Sequence, residues 1–266
     1  MALLAVDIGN SHTVLGLLDD GQVRAQWRVA TDARRTADEW AVLVHGLLVG
    51  DAAGVPAVDG VAVCSTVPSV LHEWREMLPR HFADLDVVVV EPGVRTGVPV
   101  LVDNPREVGA DRIVNALAAA TLIGGPAIVV DFGGTATTFD VVNPAGQYVG
   151  GAIAPGLEVS IEALDRRGAQ LRSVEIVRPR TVIARNTVEA LQSGLVLGMA
   201  SLVEGMVGRI VAELALEPGV EPAVVATGHL APLVIAECAC FTDHRPWLTL
   251  EGLALVFARN ARRRNS

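Results

Sequence analysis

The chain contains no lysine: none occurs among its 266 residues, and all 21 basic side chains are arginine. A phosphate loop of the Gly-Lys-Ser/Thr type is therefore excluded, and so is Schiff-base chemistry on a lysine amine. Cysteine is scarce. Cys64, Cys238 and Cys240 are odd in number and lack zinc-like paired spacing, as expected of reduced thiols in a cytoplasmic protein. The histidines, His12, His45, His72, His81, His229 and His244, show no metal-ligand pairing either, so surface or satisfied polar roles are expected. No apolar run reaches about 18 residues free of Gly, Pro or charge, so no membrane span is expected. The first apolar run leads straight to Asp7 without a basic leader, so no signal peptide is expected. A net charge of −9 argues against a nucleic-acid binder, which needs a basic footprint.

Apolar side chains are plentiful: 51% of the residues are hydrophobic and the mean hydropathy is +0.42. That supports substantial cores, in one large domain or two small ones. One pattern occurs twice. Ala5-Val6-Asp7-Ile8-Gly9-Asn10-Ser11-His12-Thr13 returns without gaps as Val129-Val130-Asp131-Phe132-Gly133-Gly134-Thr135-Ala136-Thr137. Each copy follows a buried-strand run and precedes a second apolar run, which ends in turn residues at Asp19-Asp20-Gly21 and Asn143-Pro144-Ala145-Gly146. The unit is a hairpin with a polar Gly turn. Glycine lets backbone N–H groups approach an anion, Ser and Thr add donors, and an Asp can hold a cation or its water shell. A lone Asp-x-Gly is common in plain hairpins. Two in register imply two related lobes facing one cleft.

Between the copies, the spacing predicts a strand over 22–29, a helix over 36–49, a loop over 51–60, a strand and turn over 61–68, a helix over 70–82 and a short strand over 87–90. The first lobe thus reads βββαβαβ. Asn104, Pro105 and Glu107 form a capping-box pattern. Asp111 then opens a helix and reads either as its N-cap or, beside the fixed donors of Arg112, as a polar site. Beyond the second hairpin, Gly150–Gly156 reads as a loop, 160–171 as a helix and 174–177 as a strand. Thr187 is expected to cap a long helix through Leu214. Residues 223–229 read as strand and Gly turn, and 248–262 as a terminal helix with Arg262-Arg263-Arg264 as a solvated tail.

Asp7-Ile8-Gly9-Asn10-Ser11, Gly109-Ala110-Asp111-Arg112, Asp131-Phe132-Gly133 with Thr135–Thr138, Gly150-Gly151 to Pro155-Gly156, and Asn186-Thr187 together resemble type III pantothenate kinases, in order along nearly the whole chain. The resemblance implies two duplicated βββαβαβα lobes of the ribonuclease H-like, actin-like ATPase fold, cut near 1–122 and 123–266, with ATP between them. It implies phosphorylation of pantothenate by ATP with Mg2+ and a monovalent cation, K+ or NH4+. Asp7, Ile8, Gly9, Asn10, Ser11, His12, Thr13 and Val14 would form the first phosphate loop, with Asp7 also serving magnesium. Thr135 would contact the ATP phosphates, and Asp131 would hold the monovalent ion. Asp111 would take the proton of the pantothenate hydroxyl, and Arg112 would hold the substrate carboxylate. Val102, Gly109, Ala110 and Thr187 would complete the substrate site, Val102 standing where many members have tyrosine. Gly134 is extra relative to the usual Asp-Phe-Gly-Thr, and His229 replaces a usual second Gly. A cytoplasmic homodimer, without nucleic-acid or membrane partners, is implied. A kinase of another small hydroxy acid or sugar, or a silent nucleotide-sensing accessory regulator, is the alternative.

Overall fold

The computed structural model describes residues 1–50, 58–167 and 174–261. The expected loop at 51–57, the last turn of the 160–171 helix and the arginine tail at 262–264 lie outside the described residues. Along the chain run β1 (Ala2–Ile8), β2 (His12–Asp19), β3 (Gln22–Ala30), α1 (Ala37–Gly50), β4 (Gly60–Ser65), α2 (Pro68–His81), β5 (Asp86–Val89) and α3 (Ala110–Leu122). They are followed by β6 (Ala127–Phe132), β7 (Ala136–Val142), β8 (Tyr148–Pro155), α4 (Leu157–Arg167), α5 (Thr187–Leu214), β9 (Ala223–Thr227), α6 (Ala231–Ile235), β10 (Asp243–His244) and α7 (Leu248–Asn260). Two compact units result. The first comprises Met1–Val98, Asp103–Ala118 and Trp247–Ser266; the second comprises Pro99–Val102 and Ala119–Pro246.

The sheet of the first unit has the order β3-β2-β1-β4-β5. β1 pairs antiparallel with β2 and parallel with β4, and β3 and β5 continue each side. The β1–β2–β3 meander needs tight turns. Asp20 and Gly21 supply one at φ 49° and 77°, the left-handed pair that matches strand twist. β1 is apolar from Ala2 to Val6 because it is covered on both faces. Leu4, Val6 and Ile8 join a core with Trp40 of α1 and Trp74 of α2, whose rings lie 5.5 Å apart. α7 packs on β1 and β4. Phe257 of α7 occupies the space that a side chain at Gly60 would take, and a Cβ at Gly16 would come within 2.5 Å of Leu250. This packing is why residues from 247 onward belong with the first unit, whereas a single cut at 122/123 assigns them to the second lobe.

The second unit repeats the design. Its sheet, read from the other end, runs β8-β7-β6-β9-β10. The senses match too: β6–β7 and β7–β8 are antiparallel, β6–β9 and β9–β10 parallel. Asp7 pairs with Val14 and Asp131 with Thr138, so the ungapped sequence repeat is also a repeat of strand register. Ile128, Val130 and Phe132 pack against α4, α5 and α6 through Leu157, Met199, Val203 and Val234.

Some local expectations are corrected. Gly150–Pro155 is not a loop but most of edge strand β8, where Gly150, at φ 111°, sits at a register shift. Residues 174–177 form no strand; their apolar alternation packs Val174 and Ile176 on the core without a ladder. The cap of α5 is Asn186, whose Oδ1 accepts from Glu189 N at 2.9 Å, and Thr187 is the first helical residue. β10 is only two residues long and carried no periodic signal. α5 has 28 residues and is long and apolar enough, by length and composition, to cross a membrane, with 28% of its most apolar window buried. It runs straight through Gly194, Gly198 and Glu204, which had counted as interruptions of the apolar run. The capping pattern at 104–107 does form: Asn104 accepts from Arg106 N at 3.3 Å and donates to Glu107 Oε1 at 2.6 Å around a short 3₁₀ turn.

A buried carboxylate anchors the second sheet. Asp140 is fully buried and accepts from Tyr148 Oη and Thr138 Oγ1, each at 3.1 Å. Tyr148→Phe removes a donor to a buried carboxyl group. It should destabilise the protein by about 1–3 kcal/mol in urea unfolding; an unchanged midpoint would mean that Asp140 does not depend on this bond.

Candidate active site

In the first unit, β1 and β4 run side by side and end together, with Asp7 opposite Cys64 and Ile8 opposite Ser65. The Cys64 thiol donates to Asp7 Oδ1 at 3.3 Å. Burial pushes this thiol well up, and the charges of Asp7 and Asp111 push further in the same direction, so it stays protonated and serves as a donor. The turn above is closed by Gly9 N donating to His12 O at 3.0 Å. Thr31 Oγ1 donates to Gly9 O at 2.7 Å and lies 2.8 Å from Thr13 Oγ1. Thr13 is fully buried, so its hydroxyl props the turn from behind. Asn10 is exposed, and Ser11 and His12 are half-buried, leaving the turn's front to the short polar side chains and backbone.

Asp111 lies in the first turn of α3, where Gly109 O accepts from Ile113 N at 3.2 Å. Gly109 therefore takes the cap position for which Asp111 was one candidate. The Oδ1 atom of Asp111 is buried and has no hydrogen-bond partner among the described residues. Its near neighbour is Gly109, where any side chain would collide with it. Burial raises this carboxyl above its ordinary value of 3.8, opposed by the backbone N–H and charge of Arg112. An orphan carboxylate oxygen of raised basicity is what a proton acceptor requires.

In the second unit, Asp131 ends β6 opposite Thr138 of β7 and Thr227 of β9. Gly228 closes on it, and a Cβ there would lie 2.6 Å from Asp131 Oδ1. Thr137, the counterpart of Thr13, is likewise buried, with its hydroxyl 3.8 Å from Met199 Sδ. Gly134 is buried at φ 98°. It stands where Asn10 stands in the first hairpin, so within this fold it fills an existing turn position. Thr135 O accepts from Gly156 N at 2.9 Å. Val102 lies in this unit beside Gly150, 3.7 Å from where a Cβ would be. Thr187 is exposed at the start of α5. Sequence reasoning passed over Thr31, Cys64 and Glu158, none of which falls inside a repeated motif. Only strand register reveals Cys64 beside Asp7.

Two α/β units of one strand order, each opening on a hairpin with an Asp at the strand end and a Gly turn, define the actin-like fold class. The activator of 2-hydroxyisocaproyl-CoA dehydratase from Clostridium difficile, solved with bound ADPNP, shares this fold: TM-score 0.55 and 14% identity, covering 98% of this chain and 95% of that one. Within the class, residues 3–209 match the family model described as type III pantothenate kinase. A type III pantothenate kinase of a Nocardioides species is 67% identical over 98% of this chain and 100% of its own length. One from Streptomyces griseus is 58% identical over 98% and 99%. The chain belongs to the type III pantothenate kinase family, and so to the phosphotransferases with an alcohol acceptor.

The raised Asp111 carboxyl has a consequence for stability. As pH rises, the unfolded chain ionises this group first, so the native state loses stability between the two pKa values and carries the whole cost above them. Asp111→Asn should therefore melt at a higher temperature than the native protein at pH 7, with the gain shrinking as pH falls and gone below about pH 4. Equal or lower melting at pH 7 would contradict the burial argument.

Proposed function

We propose that the protein transfers the γ-phosphoryl group of MgATP to the hydroxyl of pantothenate, giving 4'-phosphopantothenate in the first step of coenzyme A synthesis, with Asp111 as general base. The carrying observation is the buried, unpartnered Oδ1 of Asp111, set beside the guanidinium-bearing Arg112. The base takes the hydroxyl proton as the oxygen attacks phosphorus, and Arg112 holds the substrate carboxylate. Gly109 supports this reading because its missing side chain gives Oδ1 its room. Ala110, Val102 and Thr187 are assigned to the walls of the pantothenate site.

Phosphoryl transfer depends on positioning and on neutralising phosphate charge. Without lysine, that load falls on backbone N–H groups, hydroxyls, arginine and bound cations. Asp7, Ile8, Gly9, Asn10, Ser11, His12, Thr13 and Val14 are assigned to the first phosphate loop, Thr13 acting from behind through Thr31. Thr135 is assigned to the second phosphate turn. The Asp7 carboxylate suits Mg2+ and the Asp131 carboxylate a monovalent cation, K+ or NH4+, since each closes a strand beside a Gly turn. Those ions would supply positive charge to the phosphates. Asp111→Asn should lower kcat by about 10²–10⁴ with little change in either KM. Activity within tenfold of native, measured as ADP release, would remove Asp111 from the role of base.

We place the enzyme in the cytoplasm as a homodimer. Support for a dimer comes from an apolar groove of about 330 Å³ between α4 and α5, lined by Leu157, Leu164, Leu191, Leu195, Met199 and Leu202, on a helix with little of its apolar stretch buried. Leu164→Glu combined with Leu191→Glu should shift sedimentation from dimer to monomer at micromolar concentration. A double variant that sediments as the native protein does would contradict this interface.

A further inference from the structure

Gly134 and His229 of the second unit are joined in the structure through a third residue. His229 Nε2 lies 3.1 Å from Glu158 Oε1, with side chains only 19% and 26% exposed. Glu158 stands in the first turn of α4, and its Oε2 occupies the space that a side chain at Gly134 would need. His229 Cε1 closes the same space, 3.3 Å from the ideal Cβ position. The turn is bound on its other sides as well. Gly156 N donates to Thr135 O at 2.9 Å, and Leu230 N reaches Phe132 O at 3.4 Å. A residue at φ 98° with neighbours packed on its α-carbon must be glycine. Glycine has more backbone freedom than any other residue, and the Glu158–His229 pair packs directly against this one.

We infer that Glu158 and His229 are a positioning pair that holds the Gly133–Thr135 turn in its phosphate-binding conformation, so that Gly134, Glu158 and His229 function as one unit. The inference rests on the reading of that turn as the second phosphate site. It adds residues outside the repeated motif: His229 is the tether of a carboxylate that glycine at 134 leaves room for. Neither side chain is assigned contact with a reacting atom. Their effect passes through the backbone of the turn, so the loss should appear in ATP binding and not in pantothenate binding.

The test measures steady-state kinetics for native protein, Glu158→Gln, His229→Gly, His229→Gln and the double variant Glu158→Gln with His229→Gly, alongside calorimetric ATP binding without pantothenate and thermal melting. The expected result is about a tenfold rise in the KM and Kd for ATP in Glu158→Gln and His229→Gly. The KM for pantothenate should stay within twofold. The double variant should be no worse than either single one, because the pair acts as a unit. His229→Gln, which can still donate to Glu158, should recover most of the affinity. Unchanged ATP binding in folded Glu158→Gln and His229→Gly, or additive losses, would overturn the inference. Parallel losses for both substrates with lowered melting would do so too, by making the pair merely structural. Failure of the native protein to bind ATP at all would instead strike at the phosphate-turn reading beneath it.

Discussion

Burial of β1 and β6 on both faces is the constraint on which the rest depends. A strand covered on both sides has to be apolar along its length, so the first polar side chain the chain can offer is at the strand's end. In β1 and β6 that side chain is an aspartate, followed by a turn too tight for anything but glycine and short polar residues. Two apolar walls thus set two carboxylates and two sets of backbone N–H groups at strand ends. Thr13, buried behind the first turn, reaches it through Thr31, whereas the equally buried Thr137 directs its hydroxyl to Met199 of α5.

The absence of lysine then determines how the charge of a nucleotide can be met. In the proposed reaction, groups fixed in the backbone, arginine, and cations assigned to the aspartates take the place of flexible ammonium groups. Fixed donors incur little reorganisation cost when charge develops, which suits a reaction that is mostly positioning. The same fixity demands supports beneath the turns. Thr31 under the first hairpin and the Glu158–His229 pair against the second fill that place. Asp111 shows the opposite strategy, a carboxylate left short of partners and raised in basicity by burial. Among the cysteines, Cys64 is a buried donor, and burial with Cys240 and Glu204 nearby pushes Cys238 up to about 12.

The repeat was legible in the sequence because hydrophobic runs, Asp, Gly and turn residues recur at one spacing, and strand register follows from that spacing. Asn104, Pro105 and Glu107 were legible because a capping box is local chemistry. What escaped depends on distant packing. Gly150-Gly151 looks like a loop until β7 is laid beside it, and β10 is too short for any period to show. α7 returns to the first sheet because Gly16 and Gly60 make room for Leu250 and Phe257, a match that no local window contains. Among the candidate site residues those inside motifs were visible, whereas Cys64 and Thr31 come beside the first turn, and Glu158 beside the second, through strand pairing or helix placement. Gly134 looked like an insertion beside the family pattern, yet it fills the position of Asn10 in this chain's own first hairpin.

The most direct test is to identify the product by mass spectrometry after incubating the native protein with MgATP and pantothenate, in potassium and then in sodium. The account predicts 4'-phosphopantothenate equal in amount to the ADP formed, in potassium, with a large loss in sodium through the cation assigned to Asp131. ADP without phosphopantothenate, or no product from folded protein that binds ATP, would contradict the assignment of pantothenate as the acceptor. Equal rates in the two salts would contradict the role given to Asp131.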